Sequence, residues 1–199
     1  MLKLGILDQS HINEGQNAKD ALNNTLELAQ AADRLGYSRY WMSEHHDFPS
    51  LAHSSPEIMI SHVAAQTSRI RVGSGGIMLP HYSAYKVAET FKLLEALYPN
   101  RIDLGVGRAP GGTPLVNRAM QEGKMPSMQA ADRYPQQIVD LIGYLNDATP
   151  ADHRYAGLTA QPSIDTMPEL WLLGSSGGTA ELAAMTGASY AFAQFFGTV

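Results

Sequence analysis

Cysteine is absent from this chain of 199 residues. That excludes disulfides, thiolate nucleophiles and Cys-ligated metals outright. Basic residues are the scarcer charged class, 14 Lys and Arg against 19 Asp and Glu, and they form no run. The formal net charge of −5 argues against nucleic acid or an anionic membrane surface as the main partner. Long hydrophobic runs are missing too, and no uninterrupted apolar stretch approaches membrane-spanning length. The opening MLKLGILDQS lacks a basic segment followed by a long apolar one, so it does not read as a secretory signal. The expectation is a soluble cytoplasmic protein. With 44% hydrophobic residues, the chain can bury one sizeable core.

Short apolar segments alternate with longer helical patterns, the signature of βα units around a parallel sheet. A first strand is expected over Leu2 to Leu7, then a helix over Ala18 to Leu35 with Leu22, Leu26, Ala29 and Ala32 on one stripe, closed by Gly36. A strand over Ser38 to Met42 precedes a helix from Pro56 to about Thr67, with Ser55 as its cap. The third strand is read as Ile70 to Leu79, followed by a helix over Ser83 to Tyr98. Strand four, Arg101 to Val106, enters the loop GRAPGGTP and a long irregular stretch, broken by a helix near Asp132 to Leu145. Leu170 to Leu173, a short helix from Thr179 to Thr186, and Tyr190 to Ala193 complete the pattern. The sequence thus predicts an α/β fold of (β/α)8 TIM-barrel type with about six of the eight βα units present. Residues 1–199 read as a single incomplete barrel domain, in which 108–168 are an elaborated βα loop without enough apolar periodicity for a core of its own.

In such barrels the reacting groups gather where the strands end and the βα loops open. Glu44-His45-His46, Gly75-Gly76, Arg108 and the run Ser175-Ser176-Gly177-Gly178-Thr179 all fall at those ends. The serine-rich turn opens a helix, where free backbone N–H groups and the helix dipole favour an anion. Its glycines allow close approach, and Ser175, Ser176 and Thr179 add hydroxyl donors. Alone it would read as an ordinary helix cap, but Arg108 from the adjacent strand brings a bidentate cationic fork. Phosphate is the expected ligand. His45 is the candidate acid/base, against the plain reading of a strand-end histidine bonded to a carbonyl. Gly75-Gly76 inside a strand marks either a bulge or the close approach of a flat ring.

Three rivals fit less well. Gly174-Ser175-Ser176-Gly177-Gly178 has the letters of a hydrolase nucleophile elbow, yet no histidine follows His153 and no aspartate follows Asp165. Gly105-Val106-Gly107 begins like a dinucleotide fingerprint, but Pro110 and Pro114 oppose the helix that would have to open there. Glu44, His45, His46 and His81 are imaginable metal ligands, but no H-x-x-x-H pair supports them, and no metal is expected.

At LGILDQS, GYSRYWMSEHH, IRVGSGGIMLPHYSAYKVAE, YPNRIDLGVGRAPGG and LWLLGSSGGTAELAA, the chain resembles the bacterial luciferase-like flavin monooxygenases. The resemblance covers essentially the whole chain. It implies reduced FMN as cofactor, in preference to the deazaflavin F420 whose users share this fold. It also implies O2 and a small organic molecule as substrates, a separate flavin reductase and a homodimer, with no nucleic acid or membrane partner. His45 matches the family's catalytic histidine, Gly75-Gly76 its strand position against the flavin ring, and Arg108, Ser175, Ser176 and Thr179 its phosphate-binding positions. Glu44 is grouped with the cofactor-binding residues. Gly107 stands where luciferase has a reactive cysteine, so light emission is not implied, and His11 replaces the proline expected after LDQS. The family's last two strands lie beyond the chain as given, which raises a non-catalytic flavin-binding or structural subunit as the alternative function.

Overall fold

The computed structural model describes residues 2–122 and 133–196. Among these residues, seven strands, all parallel, form one sheet: β1 (Gly5–Asp8), β2 (Arg39–Met42), β3 (Arg71–Ser74), β4 (Ile77–Met78), β5 (Ile102–Gly107), β6 (Glu169–Gly174) and β7 (Ser189–Phe192). Their order is β1-β2-β3-β5-β6-β7, with β4 pairing β5 beyond the end of β3. Among the described residues, six α-helices follow the strands: α1 (Ala18–Leu35), α2 (Pro56–Ala65), α3 (Ala84–Leu97), α4 (Pro114–Met120), α5 (Tyr134–Leu145) and α6 (Gly177–Thr186). The arrangement is a curled, partial TIM-type barrel, as the alternation of patterns implies.

Local chemistry sets the boundaries. Asn17 and Asp20 form a reciprocal capping box at the start of α1, and Gly36 ends it at φ 81°. Pro56 opens α2 as expected, but Ser55 sits at the cap without a side-chain hydrogen bond. Two expectations need correction. The single strand read from Ile70 to Leu79 is two strands and a 3-10 turn: Gly75 and Gly76 lie between β3 and β4, where Gly76 packs against the Gly105 backbone, and Leu79–His81 turn away. The stretch after Arg108 is not simply irregular: α4 starts at Pro114, where proline is pre-organised for the first helical position and the Thr113 hydroxyl accepts from Val116 N–H. The expected start of α5 at Asp132 lies outside the described residues.

The strands alternate strictly between two environments. Outward-facing Tyr40, Met42, Val72, Ile102, Leu104, Val106 and Leu172 are fully buried beneath the helices, against Ile60, Val63, Phe91, Ile138 and Leu141. The inward face is polar and aromatic. Asp103, with no exposed surface, accepts from Arg39 Nη1 at 2.6 Å, Arg71 Nε at 2.6 Å and Trp41 Nε1 at 2.8 Å. Glu169 completes the charge balance by accepting from Arg39, whose guanidinium lies 4.5 Å from the centre of the Trp171 ring. This ionic layer ties β2, β3, β5 and β6 together from inside and leaves the opposite strand ends free for chemistry.

Candidate active site

The segment after β2 is held from several directions. Glu44 is buried, and its carboxylate accepts from the Met78 N–H at 2.9 Å and the Tyr82 hydroxyl at 2.7 Å, with His46 Nε2 at 2.8 Å. Its oxygens are thus spent on the protein, and Glu44 serves to fix the rim. The His46 N–H donates to the Gly111 carbonyl at 2.9 Å, and His81 Nε2 lies 2.8 Å from the Pro110 carbonyl oxygen. The loop after β5 is therefore pinned against the segment that carries His45. Gly111, at φ 63°, permits that turn.

His45 is half-buried, its Nδ1 3.0 Å from Ser43 Oγ and its ring edge-to-face with Phe48 at 5.7 Å. Burial, then the neighbouring His46 and the more weakly felt His11, push its pKa below the ordinary 6.5 against the pull of Glu44. The imidazole is thus held neutral at neutral pH, able to take up a proton and return it. His45 and His46 do not serve one centre. The former turns to Ser43 and Phe48, the latter to Glu44 and His81.

Arg108 follows the last residue of β5 and is exposed. Strands β5 and β6 are hydrogen-bonded neighbours with Val106 opposite Leu172, so their ends carry Arg108 and the Ser175–Ser176 turn to the same edge of the rim. Ser176 is the N-cap of α6 but makes no capping hydrogen bond, and no acidic residue occupies the first turn. The helix start therefore keeps its positive end uncompensated. The turn itself is fixed: the Tyr190 hydroxyl donates to the carbonyls of Gly174 and Ser176, and Thr179 folds back so closely that a Cβ on Gly174 would lie 2.7 Å from it. Gly177 and Gly178 face open space. A rigid turn, hydroxyls without a partner among the described residues, and open glycines fit a phosphate group bound there.

The Gly75-Gly76 bond crosses between β2 and β5 on this rim. A Cβ at Gly76 would stand 2.7 Å from the Gly105 carbonyl oxygen, a backbone atom that cannot step aside. A Gly76→Ala variant should lose about 1–3 kcal/mol of stability, read as a lower midpoint in thermal unfolding. An unchanged midpoint would mean that the two strands part freely here.

Sequence reasoning missed a cluster at the end of β1. Asp8 accepts from the Thr25 hydroxyl at 2.6 Å, the Tyr40 hydroxyl at 2.6 Å and the Ser10 N–H at 2.9 Å. Burial raises its pKa, but these donors prevail and hold it below the usual carboxylate value. His53 was missed as well. It lines a cleft of about 360 Å³ together with His45, Phe48, Pro49 and Leu51. Nothing in its local sequence signals that position.

The signature of the luciferase-like monooxygenase family matches residues 2–197. The chain belongs to that family. It is 60% identical over 195 residues to the Bacillus subtilis protein YwcH, and 48% identical over 196 residues to an N-acetyl-S-alkylcysteine monooxygenase of the same organism. Each alignment covers 98% of this chain and 58% of the relative, so the chain spans little more than half the length of these relatives. Among solved structures, apo-MsnO8 is similar with a TM-score of 0.87 and 43% identity, covering 98% of this chain and 56% of that one. The oxygenating constituent of a Pseudomonas putida 3,6-diketocamphane monooxygenase, solved in complex with FMN, shares the fold at TM-score 0.73 and 18% identity, covering 94% of this chain and 56% of that one. Relatives of this chain include proteins named as monooxygenases in Bacillus subtilis and Escherichia coli. Among the described residues no helix is long and apolar enough to cross a membrane.

Proposed function

We propose that the protein carrying this chain is a monooxygenase that uses reduced FMN and O2 on a small organic substrate. The observation that most supports this is the shared edge of β5 and β6, to which the strand register brings both Arg108 and the uncompensated start of α6. A phosphate tail needs a cation, free N–H donors and room for close approach, and that edge supplies all three. Reduced flavin, when bound, supplies the electrons that let O2 transfer one oxygen atom to substrate while the other leaves as water. The protein's part is to bind, orient and protect. Arg108, Ser175, Ser176 and Thr179 hold the phosphate. The backbone at Gly75 and Gly76 offers the ring a surface without side chains. Glu44 contributes indirectly, by locking His46, Tyr82 and the Met78 backbone in place. His45, kept neutral by burial and oriented through Ser43, moves a proton at Nε2. A separate reductase delivers the flavin.

The relative named for N-acetyl-S-alkylcysteine makes thioethers of that kind the first substrates to test. Replacing Arg108 with alanine should weaken FMN binding about 10- to 100-fold, since a charge-assisted hydrogen bond contributes roughly 1.5–3 kcal/mol. Fluorescence titration of the parent and variant measures this. Equal affinities would remove Arg108 from the phosphate site.

A further inference from the structure

The cleft beside His45 has a second imidazole in its wall, that of His53. Both His53 ring nitrogens are buried, and neither meets a hydrogen-bond partner among the described residues. Buried polar atoms are almost always paired, and leaving one unpaired costs free energy, so an imidazole with two open valences calls for a partner. Among the described residues none is offered. Asp8, the carboxylate that acts on the ring, is already occupied by Thr25, Tyr40 and the Ser10 N–H. Burial, reinforced by repulsion from His45, outweighs the attraction of Asp8 and keeps the ring uncharged at neutral pH.

A neutral imidazole presents one N–H donor and one acceptor nitrogen. Its complement is a neutral group that also carries both, such as a secondary amide or a hydroxyl. A carboxylate fits less well, because it would meet an uncharged ring with Asp8 behind it. Of the remaining wall, Phe48, Pro49, Leu51 and Ala52 suit the apolar part of the same molecule, and Asp47 and Ser54 are its polar members. A half-turn about the Cβ–Cγ bond exchanges carbon and nitrogen around the ring at little cost in shape, and this soft torsion lets a nitrogen turn to the cleft.

We propose that His53 is a substrate-binding residue that holds an amide or hydroxyl of the substrate in the cleft next to His45. The inference rests on the monooxygenase reading for its link to turnover, but binding tests it independently. N-acetyl-S-methylcysteine and 3-(methylthio)propanoate share a thioether and a carboxylate, and only the first carries the amide. Calorimetric titration of the full protein should give about tenfold tighter binding of the amide compound. His53→Phe, which keeps a ring but no nitrogen, should abolish that preference while leaving 3-(methylthio)propanoate unchanged. His53→Gln, which restores one donor and one acceptor, should recover part of it. FMN affinity should be the same in all three proteins, which also reports that the variants fold. With reduced FMN, the His53→Phe defect should appear in KM and spare kcat.

A preference that survives in His53→Phe overturns the proposal, as does failure of the parent to bind the amide compound more tightly than its counterpart. Loss of FMN affinity in His53→Phe would assign the imidazole to the cofactor and overturn it too. Preferential binding without any oxygenation would instead refute the monooxygenase reading and leave the His53 assignment intact.

Discussion

A His45→Ala variant should bind FMN as the parent does and turn over about 10²- to 10⁴-fold more slowly, the usual contribution of a positioned acid or base. The expectation follows from where His45 stands. It is half-buried at the end of β2, oriented by Ser43 and placed in the same cleft as Phe48 and His53. Because burial and the adjacent His46 hold its pKa below 6.5, the neutral form persists into mildly acidic solution. The sign for catalysis is therefore definite. Turnover that depends on neutral His45 should fall only as pH drops through a value below 6.5, and this acid limb should vanish in the alanine variant. Stopped-flow or steady-state oxygenation of a thioether with reduced FMN measures both effects. Undiminished turnover in the variant would remove His45 from the chemistry.

The second large effect lies at the other end of the strands. Asp103→Ala should cost about 3–5 kcal/mol, because it leaves the Arg39 and Arg71 guanidinium groups without their shared buried counter-ion. For a domain of this size that corresponds to a fall of roughly 6–20 °C in Tm. Both arginine side chains keep some contact with solvent, at 21% and 24% exposure, so the loss should lie towards the lower end. Glu169, itself 37% exposed, offers only partial compensation. Thermal unfolding followed by circular dichroism checks the prediction. A shift under about 2 °C, less than 1 kcal/mol by the same scaling, would show that the ionic layer is incidental to stability.

The contrast between these two sites explains what could be read from sequence. The bounds of helix α1 were legible, since its stripe and terminal glycine are local, although the Asn17–Asp20 capping box went unread. The strand ends carrying His45, Arg108 and Ser175 were legible for a related reason: an alternating βα pattern assigns each strand a polarity, and the loops then share one rim. The ionic layer was not. Arg39 meets Asp103 across 64 positions and Glu169 across 130, and only the register of the curled sheet makes them neighbours. Glu44 illustrates the same limit at the site. Its sequence position suggests a ligand-facing carboxylate, but Met78 of β4 and Tyr82 just beyond it occupy it. Helix α4 was hidden by its own start signal, because Pro114 was read as a barrier where it acts as a first residue. His53 carried no signal at all, as a nitrogen without a partner among the described residues becomes visible only once the fold brings its neighbours around it.

The central claim is that the edge between β5 and β6 grips a phosphate. Comparing FMN with riboflavin, which lacks that phosphate and retains the ring, tests it directly. Titrated under the same reducing conditions, FMN should bind at least tenfold more tightly, with an advantage that shrinks as salt is raised and collapses in Arg108→Ala. Equal affinity for the two flavins in the parent protein would contradict the account.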